Sequence, residues 1–98
     1  MSTYNGWKNY ETWVVNIWMS NDQGGWEYWQ EQAQSAWDET KDEDEACRLL
    51  AENLKESLGA VPEGIEGMHA DLLGSALRKV SWDDLAEHLI SDVEKDNE

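Results

Sequence analysis

The stretch Gly6-Trp7-Lys8-Asn9-Tyr10-Glu11-Thr12-Trp13-Val14-Val15-Asn16-Ile17-Trp18 puts three tryptophans and a tyrosine into thirteen residues of a chain that has no phenylalanine. Asn9 is a suitable helix cap, and the spacing predicts a first helix from Tyr10 to Asn21. On it Tyr10, Trp13, Val14, Ile17 and Trp18 share one stripe. Val15 and Met19 lie opposite, and Glu11 is the only charge on this helix before Asp22. A helix apolar nearly all round is usually buried on several sides. This reading makes it the central helix of the fold.

Working outward, Asp22-Gln23-Gly24-Gly25 reads as a break. A second helix is expected over Trp26 to Glu39, with Trp26, Trp29, Ala33, Ala36 and Trp37 on one face and Glu27, Glu31 and Asp38 projecting together from another. Tyr28 points away from the tryptophans. Thr40-Lys41-Asp42-Glu43 fits a capping box for a third helix that runs to Leu58, with Gly59 as terminator. Ala60 to Gly67 reads as a loop. A fourth helix over Met68 to Lys79 is expected to pack Leu72, Leu73 and Ala76. Ser81 caps a fifth, whose stripe is Trp82, Leu85, Ala86, Leu89, Ile90 and Val93. No segment alternates with a period of two. The expectation is an all-α fold: residues 1–98 as a single acidic domain, a compact bundle of about five short helices around a Trp-rich core, with a frayed tail at 94–98.

Two segments carry a resemblance. NGWKNYETWVVNIWMSNDQG (Asn5 to Gly24) resembles the start of a family of small proteins from bacteriophages, plasmids and bacteria, marked by Asn-Tyr-Glu-Thr-Trp, here Asn9 to Trp13. ADLLGSALRKVSWDDLAEHLI (Ala70 to Ile90) is similar to the closing segment of that family. Asp38 to Gly67 has no counterpart in it. The resemblance implies a mobile-element origin and brings no catalytic or binding residues with it.

Composition bounds the function. Twenty-two acids against seven bases leave a net charge of −15, a field that repels nucleic acid and anionic membranes and favours basic partners. No apolar run approaches the ~20 residues of a membrane span. The single Cys47 cannot form an internal disulfide, and residues 1–5 lack the pattern of a signal peptide. The expected location is the cytoplasm. The sequence leaves the oligomeric state open.

Tryptophans 13, 18, 26, 29 and 37 are expected in the core. Stacking on bases would require a basic groove, and Lys8 is the only base before Lys41. Trp7 and Tyr28 lie off the main stripes and are candidate aromatic contacts to a protein. His69, His88 and Cys47 show no metal-ligand spacing, and Asp42 to Glu45 lacks the spaced oxygens of a calcium loop. Phosphate loops, nucleophile elbows and H-E-x-x-H are absent. The expectation is a non-enzymatic protein without cofactors.

Charge is unevenly placed. Residues 27–45 are net −7 and residues 83–98 net −6, whereas 1–26 and 46–82 are each net −1. This suggests imitation of the nucleic-acid backbone, although one helix is too sparse. The second offers Glu27, Glu31, Asp38 and Glu39, one charge per ~5 Å, against one per ~1.7 Å of duplex. Imitation therefore requires the second helix, Asp42, Glu43, Asp44 and Glu45, and Asp83, Glu87 and Glu94 to flank one face. The function expected is inhibition of a host nucleic-acid-binding defence protein of the restriction or CRISPR class. The alternative is a helical adaptor that binds through exposed aromatic residues.

Overall fold

Side-chain caps set where three of the helices begin. Asn9 Oδ1 accepts the Thr12 N–H (2.9 Å), Asp42 accepts that of Glu45 (3.1 Å) and Ser81 that of Asp84 (3.2 Å), each such cap contributing about 1 kcal/mol. The computed structural model describes residues 4–94. It contains α1 (Tyr10–Asn21), α2 (Gln23–Thr40), α3 (Glu43–Leu58), α4 (Gly67–Lys79) and α5 (Trp82–Ser91). Among the described residues there is no strand, only a bridge between Tyr4 and Trp7 closed around Asn5 and Gly6, both at positive φ. No described helix is long and apolar enough to cross a membrane. Of the tail at 94–98, only Glu94 falls within the described residues.

Two boundaries differ from expectation. The cap of α3 is Asp42, not Thr40, which ends α2 and donates its hydroxyl to the Ala36 carbonyl (2.9 Å). Gly24 and Gly25 lie inside α2, because the corner needs only Asp22, which ends one helix and begins the next. A Cβ on Gly25 would come within 2.7 Å of the Asp22 carboxylate, so glycine leaves that side chain room over the first turn of α2.

The core lies between α2, α3 and α5, which all pack on one another, α3 against α5 most extensively. Ala33, Ala46, Leu50, Leu54, Ala86 and Ile90 are completely buried there. Leu50→Ala in such a site removes burial and leaves a cavity, a loss of about 2–5 kcal/mol. The core is aliphatic rather than Trp-rich. Trp29 alone of the tryptophans is buried, while Trp7, Trp26, Trp37 and Trp82 pack partly buried around the margin.

Helix α1 is not central. It docks on α2 and α5 with the face opposite its aromatic stripe: Thr12 and Met19 are buried and Val15 packs on the core. Trp18, expected inside, is 73% exposed and Tyr10 53%. Trp13 is half-buried beneath Tyr4 and Tyr10, with ring centroids 5.0 and 5.8 Å away. The deciding contact is polar. The Thr12 hydroxyl, 0% exposed, donates to Asn9 Oδ1 (2.6 Å) and accepts the Ser81 N–H (2.8 Å), while Asn9 Nδ2 donates to the Lys79 carbonyl (2.6 Å). Turning α1 over to bury its aromatic stripe would leave these groups without partners, at about 1–3 kcal/mol each when buried. The Asn-Tyr-Glu-Thr segment therefore ties α1 to the α4–α5 junction.

Helix α4 has no buried residue and, among the described helices, packs against α1 alone. Leu72, expected to pack, is 62% exposed. Ala70, Leu73, Gly74 and Leu77 are half-buried on its other side.

Candidate functional site: an acidic cleft between α3 and α5

The α2–α3–α5 core fixes where the carboxylates emerge. Asp42 starts α3 so that Glu43 and Asp44 leave its first turn beside α5. Ser81 starts α5 so that Asp83 and Glu87, one turn apart, face back toward α3. Glu43, Asp44, Asp83 and Glu87 thus line one open cleft of about 480 Å³, together with Cys47 and Arg48. The N-terminal half of the acidic sequence and the C-terminal half meet here. Acids in the first turn of each helix also complement its positive end, which offsets part of their mutual repulsion.

Arg48 is the cation of the cleft, and its Nη2 lies 2.7 Å from Glu45 on the same helix. Among the described residues, no cation lies within ion-pairing reach of Asp44, Asp83 or Glu87, nor of Glu27 and Glu31 on α2. Like charges a few ångströms apart cost about 1 kcal/mol per pair in water-like surroundings. A basic partner would relieve that repulsion.

The remaining acids are placed as follows. Glu27 and Glu31 line a shallow groove on α2 with Gln30 and Gln34. Gln34 joins this face to the end of α5: its amide nitrogen donates to Asp38 (3.1 Å) and to the Glu94 carbonyl (2.9 Å), and its amide oxygen accepts the Glu94 N–H (2.9 Å). Asp38 also meets Lys41 at 3.8 Å. Asp42 is exposed but engaged as the α3 cap, and Glu45 is engaged by Arg48. The two acidic blocks therefore touch twice, at the cleft and through Gln34.

The two aromatic candidates separate. Trp7 is half-buried, packs on the core and stacks on His88 with centroids 3.9 Å apart. Its neighbour Lys8 donates its backbone N–H to Asp84 (2.9 Å), so this segment is strapped down. Tyr28 stands exposed, edge-on to Trp29 at 5.0 Å. Arg48 and Cys47 were not among the residues read from sequence as partner-binding. The only signal for them is their position five and six residues after the α3 cap, about a turn and a half along the helix. Among the described residues there is no group of three His, Cys, Asp or Glu side chains arranged to hold a metal ion.

Comparison with curated proteins and with solved structures gave no match. A family model does match, over residues 1–97, essentially the whole chain. Its description carries no activity, so site chemistry must be argued from the geometry above. By that match the chain belongs to the family of unknown function DUF7249.

Proposed function

We propose that this protein acts by binding a basic, nucleic-acid-binding protein through its acidic face, in place of nucleic acid. The observation that carries this reading is the cleft at which Glu43, Asp44, Asp83 and Glu87 converge, where Arg48, paired with Glu45, is the one lining cation among the described residues. One helix alone is too dilute in charge to stand in for a duplex. Two helix starts facing one another bring the carboxylates of Glu43, Asp44, Asp83 and Glu87 into one cleft, a denser array than α2 offers alone. Fixed carboxylates on a rigid three-helix core are pre-organised, so little ordering entropy is lost on binding. The finer form of the proposal is a protein of phage or mobile-element origin that works in the host cytoplasm as an inhibitor of restriction or CRISPR machinery, with neither catalysis nor cofactor.

The test is capture from bacterial lysate on immobilised protein, with washes at low and high salt and competition by duplex DNA. Retention of nucleic-acid-binding proteins at low salt, release at high salt and displacement by DNA support the proposal. A captured protein that survives high salt and ignores DNA contradicts it. That outcome favours the second reading, an adaptor that binds through aromatic surface, for which exposed Tyr28 is the specific observation.

A further inference from the structure

We propose that the outer face of α4 is the contact between two copies of this chain, paired antiparallel about a two-fold axis. Helix α4 contributes no buried residue to its own monomer, yet it carries apolar side chains on both sides. The inner side rests on α1. The outer side presents Met68, 67% exposed, and Leu72, 62% exposed, one turn apart and preceded by Ile65. A solvent-facing helix normally places polar residues there.

The charges on α4 choose the occupant. With Arg78 and Lys79 against Asp71, it is the one helix of net positive charge among the described residues of a chain of net −15. It also touches none of the acidic helices α2, α3 and α5. A cationic partner would be drawn to those helices instead. Asp71 and Arg78 lie seven residues apart, two helical turns, and so share one flank of the Met68–Leu72 stripe. Both are exposed, and neither has an ion-pair partner in its own chain among the described residues. When two such helices pair antiparallel, equivalent flanks face one another. Asp71 of each copy then meets Arg78 of the other, and Met68 meets the aliphatic stem of Lys79. An isologous contact requires this self-complementarity.

The exposed parts of Ile65, Met68 and Leu72 amount to roughly 300 Å² of side chain, less than half of the ~800 Å² that each partner gives to a standard interface, so the contact is that of a weak dimer.

The experiment is sedimentation equilibrium of the full chain across concentration and salt. The wild type is expected to form a dimer that tightens as salt screens the net repulsion, opposite in sign to the salt dependence of binding a basic protein. Leu72→Glu should weaken the dimer at least tenfold, with far-UV circular dichroism and melting temperature preserved because the site is exposed. Asp71→Arg and Arg78→Asp should each weaken it several-fold, and the double exchange should restore it. A wild type that stays monomeric to about 1 mM overturns the proposal. So does a dimer indifferent to Leu72→Glu, or one that the double exchange does not restore. None of these results depends on the acidic cleft, so this inference and the proposed function fail separately.

Discussion

The α2–α3–α5 core and the α1–α4 layer are built by different rules, although each is made of amphipathic-looking helices. In the core, the apolar stripe of every helix faces inward, as spacing alone dictates: Ala33 and Ala36 on α2, Leu50 and Leu54 on α3, Leu85, Leu89 and Ile90 on α5. In the outer layer Tyr10 and Trp18, from the aromatic stripe of α1, stand exposed, and α1 is held by the buried hydroxyl of Thr12. Apolar content decides orientation only where one face is clearly poorer than the others. Where a helix is apolar all round, a few obligatory hydrogen bonds decide instead.

The sharpest way to break this comparison is to truncate one residue on each side of it. Leu50→Ala should cost about 2–5 kcal/mol in urea unfolding, as a filled core site becomes a cavity. The isosteric change Thr12→Val should cost about 1–3 kcal/mol, since it strands the Ser81 N–H and removes the donor to Asn9 while keeping the volume. A Thr12→Val variant as stable as the wild type would mean that α1 is held by apolar packing after all. The acidic face provides a smaller effect. Raising salt from low to about 0.5 M should stabilise the fold by about 1 kcal/mol, several degrees in melting temperature for a chain of this size. The smallest change is expected at Trp18→Ala, within about 0.5 kcal/mol despite the loss of the bulkiest side chain type. A large loss there would place Trp18 in the core and overturn the orientation given for α1.

Much of the fold was legible in the sequence because caps are local. Asn9, Ser81 and the spacing beyond each located α1 and α5 at their observed starts. The start of α2 was missed because paired glycines read as a break, whereas a helix already anchored at both ends by packing tolerates them at about 1 kcal/mol each. Trp26, Trp29 and Trp37 were placed on the correct face, yet two of them only rim the core, because Ala33, Ala36 and Ala46 draw the helices too close together for indole rings between them. The site was half legible. That acids fall in two blocks is a property of the sequence. That Glu43 and Asp44 meet Asp83 and Glu87 depends on how α5 returns across α3, some forty residues later, which no local pattern records. Trp7 looked free by spacing, but the His88 ring that covers it is eighty-one positions away.

The proposed function rests on the cleft, and neutralising it without disturbing the fold tests it most directly. Asp44→Asn, Asp83→Asn and Glu87→Gln together remove three charges, while Asp42 and Asp84, which hold a helix start and the N-terminal strap, are left in place. The measurement is the affinity of this triple variant, against wild type, for a nucleic-acid-binding protein captured from lysate, with and without competing duplex DNA. The account predicts at least a tenfold loss of affinity, a shallower salt dependence and an unchanged melting profile at high salt. Affinity equal to that of the wild type, still displaced by DNA, would contradict it and move the contact away from the α3–α5 cleft.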